Sequence, residues 1–113
     1  IFDKVLACKI HSQDSELTRN DWRVHDDAKV KWELDTLPKE LNEKLIKFRN
    51  KLHLTWCSID MIYSTDGNYY FLEMNRPGAH YWLDSFVGVD ITREIVNSLV
   101  EKKLVEKLEY EKV

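Results

Sequence analysis

Cys57-Ser58-Ile59-Asp60-Met61-Ile62-Tyr63-Ser64-Thr65-Asp66-Gly67-Asn68-Tyr69-Tyr70-Phe71-Leu72-Glu73-Met74-Asn75 decides how the rest of the chain is read. Two β-rich runs, Ile59–Ser64 and Asn68–Met74, flank Asp66-Gly67, the dipeptide that most favours a two-residue hairpin turn. With those two residues as the loop, Thr65 faces Asn68. Counting back pairs Ser64 with Tyr69, Ile62 with Phe71, and Asp60 with Glu73. Side chains alternate with period two, so Asp60, Ile62, Phe71, Glu73 and Asn75 are expected on one face. Directly opposed carboxylates sit roughly 5 Å apart at Cβ, and like charges there are destabilising. A hard divalent cation would compensate, with Asn75 adding a third oxygen ligand. The competing reading is a pair of solvated acids on an open face; the register also depends on the two-residue loop, and a one-residue bulge would part the carboxylates.

Outward from the hairpin, the 113 residues are expected to form a single domain, 1–113, large enough for one core. Hydrophobic residues make up 43% and charged residues 33%, which suits a globular chain and excludes a disordered one. The net charge of -3 gives no basic field for nucleic acid, and no apolar run is long enough for a membrane span. Cys8 and Cys57 fit neither a disulfide framework nor a zinc spacing, which makes a reducing, cytoplasmic setting the expectation. The four histidines have no ligand spacing among themselves and read as surface or loop residues.

Val5–Ile10 reads as a strand and His11–Asn20 as a polar, turn-like loop that delivers Asp21-Trp22-Arg23. A strand so close to residue 1, without Met or a polar lead-in, is expected of a piece of a longer protein. Arg23, an Arg beside an aromatic at a loop end, is an anion-binding candidate, with a surface pair to Asp21 or Asp26 as the alternative. Lys29–Leu34 alternates charged and apolar residues as a half-buried strand does. Leu37-Pro38-Lys39-Glu40 opens a helix, with Asp35 or Thr36 as cap and Leu41, Leu45, Phe48 and Leu52 as its stripe. Arg76-Pro77-Gly78 forces a turn, and Ala79–Phe86 is a short aromatic segment. Asp90 caps a last helix whose stripe starts with Ile91, Ile95 and Leu99 and continues to Leu104 and Leu108. Its charged end, Glu101–Val113, reads as a solvated face, with pairing to a second copy as the other reading. The predicted class is α+β, a mostly antiparallel sheet with helices packed on one side.

Ile59-Asp60, Asp66-Gly67 and Phe71-Leu72-Glu73-Met74-Asn75, in that order, resemble the end of the ATP-grasp fold, the ATP-dependent carboxylate–amine or carboxylate–hydroxyl ligases. Ile10-His11-Ser12-Gln13, Asp21-Trp22-Arg23, Leu37-Pro38, Gly78, Trp82 and Gly88 extend the similarity to ligases of the microviridin or graspetide type, which close rings in ribosomal precursor peptides. The resemblance covers nearly the whole chain. It implies a C-terminal lobe that works with ATP, Mg2+ and a preceding lobe of the same protein, and it makes the isolated chain inactive. A substrate carboxylate would be phosphorylated and then attacked by an amine or hydroxyl. By the same resemblance Asp60, Glu73 and Asn75 would hold the metal, Arg23 would be the catalytic phosphate-neutralising group, and Leu72 would pack against adenine. Lys9 is a second phosphate candidate. Two positions depart from the pattern. Ser58 stands where many of these ligases carry Arg, and Arg76-Pro77-Gly78-Ala79-His80 replaces the usual Pro and Gly-Gln-Trp. A small-molecule ligase resembling the glutathione synthetases is the alternative within enzymes. A non-catalytic domain whose Tyr81-Trp82 segment binds a protein is the alternative outside them.

Overall fold

Hydrogen bonding divides the strands between two small antiparallel sheets. The computed structural model describes residues 1–21, 30–76, 88 and 90–111, with 103–111 by backbone alone. Strand β1 (Ala7–Ile10) pairs with β2 (Trp32–Asp35), placing Lys9 opposite Glu33 and Cys8 opposite Leu34. Strand β3 (Ser58–Tyr63) pairs with β4 (Tyr69–Asn75). Helix α1 (Lys39–Lys51) joins the two sheets, and helix α2 (Ile91–Glu111) closes the order. The α+β class and the antiparallel pairing are as predicted, but the first two strands are shorter than the sequence suggests. The expectations for Trp22, Arg23, Ala79–Phe86 and the side chains of Leu104 and Leu108 lie outside the described residues.

After β1, residues 11–21 form a polar loop organised by its own side chains. A 3-10 turn, Ser12–Asp14, opens it. Thr18, 1% exposed, donates its hydroxyl to Ser12 O at 2.7 Å, and Gln13 donates to Arg19 O at 2.9 Å. Such bonds supply the partners that the backbone would otherwise seek in a ladder. His11 fastens the loop to β2 through Nε2 and Glu33 Oε1, 2.8 Å apart. That hydrogen bond, with a smaller contribution from Lys31, holds the Glu33 carboxyl below its usual range.

Helix α1 begins at Pro38, whose carbonyl accepts from Leu41 and Asn42 N–H. Neither predicted cap is used; Asp35 instead accepts from the Thr36 N–H at 2.8 Å. The helix ends in a left-handed turn at His53 (φ 54), with His53 N–H donating to Asn50 O and Leu54 N–H to Arg49 O. That bond pattern normally selects glycine, because a Cβ is strained at positive φ. His53→Gly is therefore expected to stabilise the protein by about 0.5–1 kcal/mol, read as a rise of a few degrees in thermal midpoint.

The inward stripe of α1 differs from the expected one. Leu41, Leu45 and Ile46 are half-buried, Phe48 and Leu52 are more open, and Arg49 takes the most buried position. Its guanidinium reaches Leu54 O, Thr55 O and Asn50 Oδ1, lies 4.0 Å from Asp3 and faces the Phe2 ring. Helix α2 is capped as predicted, Asp90 Oδ1 accepting from Arg93 N–H at 2.8 Å. Ile91, Ile95 and Ser98 are buried on it, whereas Leu99 is 43% exposed. Ile91 and Ile95 are the buried apolar side chains among the described residues. The radius of gyration is 16.6 Å, against about 13 Å for a compact domain of this length. Among the described residues, no helix is long and apolar enough to cross a membrane.

Candidate functional site

The β3–β4 hairpin turns through three residues rather than two. Ser64 N–H donates to Asn68 O and Gly67 N–H to Ser64 O, both at 2.9 Å, leaving Thr65-Asp66-Gly67 as the loop. Gly67 has φ 80 while Asp66 is not left-handed, the form in which a turn is followed by one left-handed glycine. The extra loop residue shifts the upper register by one, so Tyr63 pairs with Tyr69, Ile62 with Tyr70 and Met61 with Phe71. A bulge then intervenes, and Asp60 pairs with Glu73, Ile59 with Met74 and Ser58 with Asn75. Leu72 is the residue without a partner across the ladder. The predicted Asp60–Glu73 pair thus exists, although the route to it differs: loop and bulge each displace the register by one, in opposite directions.

The bulge also sorts the side chains. Phe71 belongs with Met61, opposite to the acidic face, and its ring meets Phe48 of α1 edge-on at 5.8 Å. Ile59, Met61 and Met74 share that helix side and are half-buried. The placement of Phe71 beside the acids is therefore corrected; Tyr70 takes that place, paired with Ile62. Ser58, Asp60 and Ile62 on β3 and Tyr70, Glu73 and Asn75 on β4 form the open face. Counted on from Phe71, alternation brings Leu72 to this face as well, and 56% of its surface is exposed. Strict alternation from Glu73 gives the opposite result, and the bulge is what removes the conflict.

Asp60, Glu73 and Asn75 are all exposed, and Asn75 Nδ2 donates to Glu73 Oε1 at 3.3 Å. That bond confirms the shared side and leaves the Asn75 amide oxygen as an acceptor. Two carboxylates and an amide oxygen suit magnesium, which takes oxygen ligands and usually keeps several waters. Among the described residues no group of three or more His, Cys, Asp and Glu side chains is placed to hold a metal.

At the tip, Asp66 accepts from Asn68 N–H at 2.9 Å and from the Tyr70 hydroxyl at 2.7 Å. These bonds, the Tyr70 one first, pull the Asp66 carboxyl down to about 2. A depressed carboxylate stabilises the fold above its unfolded pKa and loses that contribution as pH falls through the folded one. The loop is thus expected to loosen between about pH 4 and 2. Carbon NMR of the carboxyl should show Tyr70→Phe returning Asp66 toward the ordinary aspartate value.

Of the other predicted residues, Lys9 sits in the β1–β2 sheet opposite Glu33 and is not part of the hairpin's own ladder. Arg23 lies outside the described residues. Arg49 was missed by sequence reasoning; its position four after Leu45 on the inward stripe was the available signal. Cys8 and Cys57 are free and half-buried, and burial pushes both thiols up.

No protein-family model matches the chain, and no curated protein matches it in sequence. Solved structures do, two of them as follows. The macrocyclase MdnC, bound with precursor peptide MdnA from Microcystis aeruginosa MRC, is 29% identical over 90% of this chain, with a TM-score of 0.71. The ATP-grasp ligase PsnB, complexed with a minimal precursor, is 16% identical over 88% of the chain, with a TM-score of 0.62, a likeness of fold alone. The chain spans 31% of the first protein's length and 32% of the second's. Over the span it covers, this chain carries the ATP-grasp ligase fold in the form found in these two precursor-peptide enzymes.

Proposed function

We propose that the chain is the C-terminal lobe of an ATP-dependent ligase that joins a carboxylate to an amine or hydroxyl within a ribosomal precursor peptide. The observation that carries this reading is the Asp60–Glu73 cross-strand pair, with Asn75 bonded to Glu73, on the open face of a hairpin in the ATP-grasp fold. The γ-phosphoryl group of ATP would pass to a carboxylate oxygen of the peptide, giving ADP and an acyl phosphate. A Ser or Thr hydroxyl or a Lys amine would then attack the carbonyl carbon and expel phosphate, its proton passing to solvent.

Asp60, Glu73 and Asn75 would hold magnesium, which when bound neutralises phosphate charge as phosphoryl transfer requires. The carboxylates need no proton-transfer role; their contribution is fixed negative charge aimed at the metal. Arg23 would neutralise the transferred phosphoryl group, with Lys9 as a second contact. Leu72 would give the adenine an apolar seat on the open face. Another part of the full-length protein would cover the nucleotide from the opposite side, so the isolated chain should bind it weakly. The half-buried free thiols suit a reducing, cytoplasmic setting.

The test is to mix the full-length protein with ATP, magnesium and a precursor peptide carrying Asp or Glu together with Ser, Thr or Lys. Peptide-dependent ADP release, with loss of one water from the peptide for each bond formed, is the expected result. ADP release driven by small carboxylates and not by peptide would replace this reading with a small-molecule ligase.

A further inference from the structure

Ser58 and Asn75 are paired across the β3–β4 ladder, one step beyond Asp60 and Glu73 on the same face. The four side chains therefore occupy the two same-face positions of an uninterrupted three-pair stretch of ladder, below the bulge at Leu72. Cross-strand partners lie roughly 5 Å apart at Cβ, and same-face neighbours along a strand about 7 Å apart. Ser58 thus adjoins both Asp60 and Asn75. The chemistry of the four groups is uneven. Asp60 and Glu73, when ionised, only accept hydrogen bonds. Asn75 commits an amide hydrogen to Glu73. The Ser58 hydroxyl is half-buried, unlike the exposed Asp60, Glu73 and Asn75, and has no hydrogen-bond partner among the described residues. A hydroxyl on a half-buried residue, with no partner among the described residues, has its donor to give to water or a ligand.

We infer that Ser58 is a further positioning residue of this site, donating its hydroxyl to a phosphate oxygen of the magnesium-bound nucleotide. This rests on the proposed function, since it needs the nucleotide phosphates beside Asp60 and Glu73. A phosphate near two carboxylates meets an acceptor-rich surface, and an uncommitted donor at its border gives the anion a defined orientation. The hydroxyl is neutral and short, so its contribution is placement rather than charge. A hydrogen bond to a charged group of this kind is worth about tenfold in affinity.

The test uses the full-length protein and two substitutions, Ser58→Ala, which removes the donor, and Ser58→Thr, which keeps it. Calorimetry with a non-hydrolysable ATP analogue and magnesium gives affinity independently of turnover, and ADP release gives KM and kcat. Ser58→Ala is expected to weaken analogue binding and raise the KM for ATP about tenfold, with a smaller change in kcat, and Ser58→Thr to restore both. Glu73→Gln measured alongside separates the two levels. If Glu73→Gln is impaired while Ser58→Ala binds and turns over as the parent does, the Ser58 inference fails and the ligase reading stands. If Glu73→Gln is unimpaired, the reading beneath it fails. Equal losses in Ser58→Ala and Ser58→Thr, measured well below both thermal midpoints, would show that packing and not the hydroxyl matters, and would also overturn the inference.

Discussion

Glu73→Gln in the full-length protein is expected to slow ADP formation by on the order of 10²- to 10³-fold and to raise the magnesium concentration needed for half-maximal rate. The exchange keeps the size of the side chain and one oxygen, and removes the charge that a hard cation seeks. Because Asp60 lies directly across the ladder, the residual site would offer one carboxylate where two are required. The neighbouring bond also changes. Asn75 Nδ2 now donates to a Glu73 carboxylate oxygen, and a glutamine presenting its own amide nitrogen there would turn Asn75 away. Asp60→Asn should act in the same direction with a milder effect if Asp60 contacts one ion. Arg23→Ala should slow phosphoryl transfer and leave the magnesium dependence nearly unchanged. ADP release measured against magnesium concentration distinguishes the three patterns. A Glu73→Gln protein with normal rate and normal magnesium dependence would falsify the metal assignment and leave the acids as a solvated pair.

Arg49→Ala should lower the stability of the protein by about 2–4 kcal/mol, the largest loss expected of a residue outside the open face. Arg49 is 8% exposed, yet its fork reaches Leu54 O, Thr55 O and Asn50 Oδ1. Truncation takes the guanidinium donor from the half-buried Leu54 carbonyl, while the exposed Asn50 amide oxygen turns to water and Thr55 O keeps the Phe2 N–H at 3.0 Å. It also removes the stem that fills the inward stripe of α1 and the cation over Phe2. Arg49→Lys should recover only part of the loss, because a single ammonium cannot span carbonyls on two residues and an amide at once. Thermal midpoints of the two variants, compared at equal protein concentration, check this. Turnover should fall less than stability does, since Arg49 fixes the loop leading into β3 and does not face the acids.

The sequence made the hairpin legible because turn chemistry and alternation are both local. It did not show which residues belong to the loop. Asp66-Gly67 suits a two-residue turn, but Thr65 joins it because Gly67 alone adopts positive φ. Nor did it show the bulge, which sets Phe71 toward Phe48 on a helix about twenty residues earlier. The α2 cap was readable from Asp90 for the same local reason as the hairpin. The burial of Ser98 in place of Leu99 was not, because a helix face is chosen by what packs against it. Thr18 and Arg49 were invisible for a related cause. Both are polar residues buried by the backbone carbonyls they satisfy, and those carbonyls are brought together only by the fold.

The unpaired Leu72 makes the hairpin's length negotiable. Phe71 and Glu73 already point to opposite sides, which is the relation that adjacent residues of a regular strand have. A chain shortened by Leu72 alone would therefore join them directly and rotate neither: Phe71 would still meet α1 and Glu73 would still oppose Asp60. Deleting Tyr70 would instead move Phe71 into the place opposite Ile62 and turn it to the open face. Leu72 is in this sense a removable link, whose excision subtracts one apolar side chain from the open face and leaves the acids and the helix contact in place.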